Sequence, residues 1–218
     1  MYNQHHSQKE IILKNLGIQN YQHVLNAMHQ FNLKRTKKTK DEIWLLEHFP
    51  VFTQGRNGKN ENILFKSPKI PIIQSDRGGQ ITFHAPGQKI MYIMIDIKRN
   101  NINIRKLINS LETTVIYTLL KFNIHAYSKM HAPGVYIKNK KICSIGLKIQ
   151  NGYSLHGLAF NIKMDLKPFD YINPCGFKKM KMTQLSEFTN NFSIKKIDSL
   201  LIKKFCQLLN FKVLNNNT

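Results

Sequence analysis

The chain has 218 residues, 42% of them hydrophobic, which suits one domain with a sizeable core and excludes several large domains. Thirty-three Lys and Arg residues against twelve Asp and Glu residues give a net charge of +21. The basic residues spread along the whole chain, with clusters only at 34–40 and 178–181, and no nucleic-acid-reading motif accompanies them. We therefore assign most of the charge to solvated surface and to a compositional bias toward Lys, Asn and Ile, not to nucleic-acid binding.

Three cysteines, Cys143, Cys175 and Cys206, stand at irregular spacing without a CxxC pair. Their number and spacing argue against a disulfide framework and a zinc ribbon, and unpaired thiols are typical of a reducing compartment. The first 17 residues lack the apolar segment and cleavage site of a signal peptide, and no stretch is long and apolar enough to span a bilayer. We expect a cytoplasmic protein that binds neither a membrane, a metal ion nor a cofactor.

Hydrophobic periodicity predicts a first helix over about 21–33. A second helix follows at about 103–123, with Asn103 as its candidate N-cap. Between these helices, β-branched and aromatic runs bounded by Gly, Pro and Asn predict strands at 43–48, 70–75, 81–84 and 89–97.

The second half of the chain begins with a β-rich region and ends with a helix. Strands are predicted within 134–164, with Asn151-Gly152 as a hairpin turn. The closing helix covers 193–210 and is capped by Ser193, with Cys206 on its apolar face, and 213–218 is predicted to be a frayed tail. The order of helix, strands, helix, strands, helix indicates the α+β class.

Cys175 lies in the turn sequence YINPCGF, where a thiol is accessible to a substrate. Asn-Pro begins turns because proline restricts itself and the residue before it, and the following glycine permits close approach of a ligand. A free cysteine has a pKa of about 8.5, so a neighbouring cation is needed to make it a thiolate at neutral pH. An ammonium group about 4 Å away would provide that stabilisation.

Lys141 is the candidate for that cation. It belongs to the strand segment KKICSIG and shares a face with Cys143 and Ile145. A lysine among apolar neighbours is partly desolvated, which is unfavourable unless it has a partner or a function. The alternative is an edge-strand lysine that extends to water. Cys143 is a rival nucleophile, but its place within the strand pattern favours a small core residue.

Two further segments contain glycine next to polar groups. SDRGGQITFHAPGQ, at 75–88, has a glycine pair and Arg77, which could hold an anion. Its glycine spacing matches neither a P-loop nor a Rossmann turn, so this pattern alone favours a tight hairpin. HGLAFNI, at 156–162, has Gly157 within a strand, where a ligand can cross, whereas His156 alone is better explained as a structural histidine.

Taken together and in order, these segments resemble the lipoyl(octanoyl) transferases of the biotin/lipoate protein ligase superfamily. One position differs, because Ala85 stands where the family has the first glycine of H-G-P-G-Q. Alanine before proline adopts an extended conformation readily, so we expect little effect unless a positive φ is required. The matching segments cover nearly the whole chain outside the termini and are EHFPVFTQGR, RGGQITFHAPGQ, APGVYI, KKICSIGLKI, HGLAFNIKMDLKPFDYINPCG and MTQL.

The resemblance implies one catalytic domain over 1–218, with a mixed β-sheet packed against helices. It also implies that octanoyl passes from octanoyl-acyl carrier protein to Cys175 as a thioester. The octanoyl group then passes to a lysine amine on lipoyl domains of 2-oxoacid dehydrogenase complexes or on the glycine cleavage protein. Lys141 matches the family lysine that lowers the thiol pKa and handles protons.

The implied substrate-binding residues lie on three segments, and the apolar ones among them are expected to line a slot for an eight-carbon chain. They are Arg77, Gly78, Gly79, Gln80, Ile81, Thr82, Phe83 and His84 on the first segment, Ser144, Ile145 and Gly146 on the second, and Gly157, Leu158 and Ala159 on the third.

Two alternatives remain open at this point. An ATP-dependent lipoate or octanoate ligase on the same fold would adenylate a free acid and would need no cysteine, so the NPCG turn disfavours it. A basic nucleic-acid-binding module without catalysis would rest on the net charge alone and lacks a supporting motif.

Overall fold

Eleven β-strands and three α-helices make up the computed structural model, which describes residues 8–215. Residues 1–7, at the start of the N-terminal segment that lacks a signal-peptide pattern, lie outside the described residues. The helices are α1 (Tyr21–Leu33), α2 (Ile104–Leu120) and α3 (Ile194–Leu209). The strands are β1 (Lys9–Gln19), β2 (Asp41–His48), β3 (Val51–Gln54), β4 (Ile72–Gln74), β5 (Ile81–His84), β6 (Gln88–Met94), β7 (Tyr127–Ser128), β8 (Gly134–Ile137), β9 (Lys140–Gln150), β10 (Tyr153–Asn161) and β11 (Phe211–Asn215).

The larger sheet has eight strands in the order β11-β1-β2-β6-β10-β9-β8-β7. Its first three strands run parallel to one another, and every later neighbouring pair is antiparallel. A smaller sheet has the order β4-β3-β5 and combines one parallel with one antiparallel pair. The prediction of an α+β domain with a mixed sheet packed against helices is therefore confirmed.

The helices cover the two faces of the larger sheet. The buried stripes of α2 and α3, such as Leu111 and Phe205, pack with Ile43, Ile93 and other sheet residues in the main core. On the other face, α1 packs on a cluster that contains Trp44, Leu46 and Tyr92. Burial of these stripes is the main source of helix stability, because short helices are marginal in water.

The predicted helix caps are confirmed. The Asn103 side chain accepts a hydrogen bond from the backbone N–H of Lys106, and the Ser193 side chain accepts one from the backbone N–H of Lys196. No helix in the described part of the chain is long and apolar enough to cross a membrane.

Several strands differ from the sequence prediction. The sequence pattern does not predict β1, β3, β7 or β11, and β6 ends at Met94 before the predicted end at 97. The expected frayed tail from 213 is wrong for residues 213–215, which continue β11 and pair with β1. Asn210 ends α3 in the left-handed conformation, which turns the chain directly into β11, while 216–218 lie outside the described residues.

Candidate active site

Cys175 lies at the centre of a tight turn, Pro174–Gly176, in the left-handed conformation with φ 57° and ψ 17°. A non-glycine residue in this conformation is uncommon and typical of functional sites. Gly176 also has a positive φ of 80°, and a Cβ there would lie 2.1 Å from the side-chain amide of Gln80. The turn therefore needs both the proline and the glycine that flank the thiol, and Cys175 remains partly exposed.

Asparagine side chains hold this turn against the glycine-rich segment. The Asn173 backbone N–H donates to the Asn62 carbonyl at 2.8 Å, and their side chains are joined at 3.2 Å. Asn62 Nδ2 in turn donates to Gln80 Oε1 at 2.6 Å. Because Asn62 and Asn173 are both buried, this chain of hydrogen bonds fixes the turn relative to Gln80.

Lys141 meets Cys175 although 34 residues separate them, with Nζ 3.2 Å from Sγ. Backbone pairing explains the meeting. The Lys141 N–H donates to the Lys181 carbonyl at 2.8 Å, and the Thr183 N–H donates to the Lys141 carbonyl at 3.0 Å. The segment that follows Cys175 thus lies alongside the start of β9 and brings the thiol to the lysine.

The Lys141 side chain is almost completely buried, with 2% of the residue exposed. Its Nζ lies 5.4 Å from the centre of the Tyr136 ring. Burial lowers the pKa of Lys141, but the charges of Cys175 and Tyr136 outweigh burial and raise it above its ordinary value. Lys141 is therefore a buried ammonium whose charge depends on the sulfur and the phenol group beside it.

The other two cysteines are unsuited to nucleophilic chemistry. Cys143 is fully buried in the main core, and burial raises the pKa of its thiol far above the ordinary range. Cys206 lies on the buried face of α3, where burial raises its pKa to about 12. Both remain protonated thiols at neutral pH, as the sequence pattern predicts for core residues.

Glu112 of α2 lies behind the pair and was not selected from the sequence. Its Oε1 accepts a hydrogen bond from the Gly134 N–H at 2.9 Å. A Cβ at Gly134 would lie 2.5 Å from Lys141 Cε, so the glycine leaves room for the lysine stem. Burial raises the pKa of Glu112, against the opposing effects of the Gly134 hydrogen bond and the Lys141 charge. Glu112 therefore holds the start of β8 against Lys141.

A cavity extends from Cys175 between β5, β6, β9 and β10. Eleven of the fourteen predicted substrate-binding residues line it, together with Ile90, Tyr92 and His156. The eleven are Arg77, Gly79, Gln80, Thr82, His84, Ser144, Ile145, Gly146, Gly157, Leu158 and Ala159.

The remaining three predicted residues lie elsewhere. Ile81 and Phe83 pack in the core of the smaller sheet with Phe52 and Phe169, so their expected place in the slot is wrong. Side chains alternate along β5, and Thr82 and His84 occupy the cavity face instead. Gly78 lies in a second, more open groove that also reaches Cys175 and Lys141.

Arg77 and His84, two polar residues in the wall of the cavity, are hydrogen-bonded within the protein. The Arg77 guanidinium donates to the carbonyls of Thr53, Gln80 and Gly78 at 2.6, 2.8 and 3.0 Å, so it braces the glycine-rich segment instead of presenting free donors. His84 is hydrogen-bonded to Thr53 and Gln88, and burial holds its pKa well below the ordinary value. It is therefore a neutral structural imidazole.

The Asp76 carboxylate contacts three side chains that are positively charged or can become so. Its carboxylate oxygens lie 2.7 Å from His156 Nε2 and from His29 Nε2, and 2.8 Å from Lys148 Nζ. Burial acts to raise the pKa of Asp76, but the hydrogen bonds from His156 and Lys148 outweigh it and hold that pKa well below the ordinary value. Burial lowers the pKa of His156, which fits the predicted structural role.

Ala85, where the sequence departs from the family pattern, has no positive φ. It is buried in the core of the smaller sheet, and its carbonyl accepts a hydrogen bond from the Gln88 N–H at 3.2 Å. The turn before Gln88 therefore tolerates alanine, as expected.

The fold is similar to that of lipoate protein ligases. A bi-partite lipoate protein ligase from Thermoplasma acidophilum superposes with a TM-score of 0.77 at 16% identity, covering 96% of this chain and 87% of that one. Residues 20–206 match the model of the lipoyl protein ligase A/B catalytic domain, and the chain belongs to that family.

Relatives of known name are similar over nearly the full chain. The octanoyltransferase of Buchnera aphidicola subsp. Acyrthosiphon pisum is 50% identical over 209 residues, which is 96% of this chain and 99% of the relative. That of Photorhabdus laumondii is 53% identical, over 94% and 96%. These relatives confirm the predicted resemblance and the prediction that the chain is an enzyme of the transferase class.

Proposed function

We propose that the chain is an octanoyltransferase that moves octanoyl from acyl carrier protein to a lysine of a lipoyl domain through a thioester on Cys175. The observation that carries the proposal is the contact of 3.2 Å between Lys141 Nζ and Cys175 Sγ at the end of a cavity lined largely by apolar groups and backbone. The names of the half-identical relatives support the octanoyl group as substrate.

In the first half-reaction, the Cys175 thiolate attacks the thioester carbonyl of the donor. A bond forms between Sγ and the acyl carbon, and the bond from that carbon to the carrier's sulfur breaks. The departing thiolate takes a proton from the Lys141 ammonium. No ATP is required, because the donor thioester is already activated.

Acylation then changes the state of Lys141. The thioester sulfur carries no charge, so the attraction that raises the pKa of Lys141 is lost, while burial, which lowers it, remains. The lysine is then neutral and can act as a general base.

In the second half-reaction, the neutral acceptor amine attacks the thioester carbon and transfers one proton to Lys141. An amide forms, Cys175 leaves as the thiolate, and the ammonium–thiolate pair is restored. We place this reaction in the cytoplasm. Lipoyl domains of 2-oxoacid dehydrogenase complexes and the glycine cleavage protein are the proposed acceptors.

Intact-protein mass spectrometry tests the acyl-enzyme. Mixed with octanoyl-acyl carrier protein and no acceptor, the protein should gain the mass of one octanoyl group. Cys175→Ser should abolish this gain, whereas Cys143→Ser and Cys206→Ser should keep it. Addition of a lipoyl domain should transfer the group to one of its lysines.

An octanoyl adduct that survives in Cys175→Ser would overturn the assignment of the nucleophile. Pyrophosphate release from ATP and free octanoate, without any adduct from the carrier, would indicate an ATP-dependent ligase instead.

A further inference from the structure

An open groove surrounds the exposed side of Cys175 and Lys141. Its lining includes Ile104 at the start of α2, Ala132 and Pro133 before β8, and Phe177 just after the cysteine turn. The cavity described above runs inward from the same cysteine, so the groove is the approach from solvent to the thiol.

Apolar side chains are exposed around this groove. Ile104 is 47% exposed, Phe177 is 46% exposed, and Met130, next to the groove residue His131, is 76% exposed. Exposed apolar groups gathered around a site are typical of surfaces that bind another protein.

The same surroundings are positively charged. Segments 129–133 and 175–181 contain groove-lining residues and their chain neighbours, and they contain no Asp or Glu. Four basic residues on these segments are exposed, namely Lys129, Lys178, Lys179 and Lys181. Such a field attracts an anionic partner and accelerates its association.

We propose that the mouth surface, defined as Ile104, Met130, Phe177, Lys178 and Lys179, docks the acidic carrier protein that delivers the acyl thioester. This inference rests on the proposed function and names the place where the donor binds. Lys178 and Lys179 face the acidic residues of the carrier and the phosphate of its prosthetic arm. The three apolar side chains contact the carrier beside them.

Charge favours the donor over the acceptor as the occupant. The acceptor must bring a lysine side chain, which approaches as a cation, to a margin that already carries four basic residues. The donor brings a neutral thioester on an arm with a phosphate, which the same margin attracts.

Charge reversal at Lys178 and Lys179 tests the proposal when the first half-reaction is measured alone. The double variant Lys178→Glu/Lys179→Glu should raise the KM for loading from octanoyl-acyl carrier protein by about tenfold or more. Loading from octanoyl-pantetheine, which has neither the carrier nor the phosphate, should change less than about twofold. Increasing salt should weaken loading from the carrier in the unaltered protein and much less in the variant.

Lys37→Glu/Lys38→Glu is the matched control, because it makes the same change of charge in the exposed turn after α1. This variant should leave loading from both donors unchanged. Equal effects of the two double variants on the carrier would overturn the docking surface. So would a variant at Lys178 and Lys179 that loads normally but transfers slowly to a lipoyl domain, because the surface would then serve the acceptor.

The outcomes also separate this inference from the proposed function. If the unaltered protein acquires no octanoyl group from either donor, the proposed function fails. If it loads well from both donors and charge reversal has no effect, only the docking surface fails.

Discussion

The two ends of β9 each carry a lysine paired with an ionisable side chain, but the pairs differ in what the proposed reaction does to the partner. Lys141 lies 3.2 Å from the Cys175 sulfur, and Lys148 lies 2.8 Å from an oxygen of Asp76. The Asp76 carboxylate stays ionised because its partners hold its pKa low. The charge of Cys175 would disappear on acylation, so only the Lys141 pair can change state during a reaction.

The two lysines also differ in how deeply they are buried. Lys141 has 2% of its surface exposed, whereas the Lys148 side chain is 21% exposed and can partly hydrate its charge. A buried ammonium that loses its partner favours the neutral form, while a partly hydrated one keeps its proton more easily. Pairing with an ionisable partner therefore does not by itself distinguish a catalytic lysine, and the proposed role of Lys141 rests on its burial beside a sulfur that the proposed reaction acylates.

Replacing Lys141 and Lys148 by alanine, one at a time, is the most direct test of the difference between the two pairs. Lys141→Ala should reduce kcat/KM for octanoyl transfer by about 10³-fold, because proton transfer and thiolate stabilisation are both lost. Lys148→Ala should reduce it by less than about tenfold, because the Lys148 ammonium is bonded to Asp76 and does not line the cavity that reaches Cys175. Steady-state kinetics of both variants would measure this, and similar losses would contradict the distinction.

Asp76→Asn should mainly affect stability. It leaves His156, His29 and Lys148 without their carboxylate, so the free energy of unfolding should fall by about 2 kcal/mol in urea denaturation at neutral pH. Asp170→Asn, at an exposed position, is the control.

The pH dependence of this effect has a definite sign. The pKa of Asp76 is lowered by folding, so its contribution is present above its ordinary value of 3.8 and is lost as pH falls below that value. The difference between Asp76→Asn and the unaltered protein should therefore shrink in acid. A difference that grows in acid would contradict the assignment.

Removing the thiol should change the titration of Lys141. In Cys175→Ala, the charge that raises the pKa of Lys141 is absent and burial is opposed mainly by Tyr136, so that pKa should fall. Side-chain ammonium signals in NMR would follow it, and the Lys148 signal should be the same in both proteins because Asp76 remains. An unchanged Lys141 titration would mean that Cys175 carries no negative charge in the resting protein.

The sequence predicts Cys175 and Lys141 better than it predicts the residues that support them. Cys175 and Lys141 occur in segments with strong family resemblance, and turn chemistry at Pro174 and Gly176 explains the displayed thiol. Asn62, Asp76 and Glu112 were missed, because each acts through a long-range contact that leaves no local pattern.

The error at Ile81 and Phe83 has a physical reason. The apolar character of Ile81 and Phe83 predicts that they line an acyl slot. In the structure, both side chains pack in the core of the smaller sheet instead. Thr82 and His84 then fall on the cavity face by strand alternation. The unpredicted strand β11 similarly depends on pairing with the distant β1, which no short window of sequence contains.

The backbone pairing of Lys141 with Lys181 and Thr183 has a consequence for the protein during synthesis. Until those residues have been made and have docked, the cysteine at 175 has no ammonium beside it and is as unreactive as any free thiol. Oxidants react with thiolates much faster than with thiols. On the proposed mechanism, the thiol would therefore become reactive, and sensitive to oxidants, only once this part of the chain is complete and docked beside Lys141.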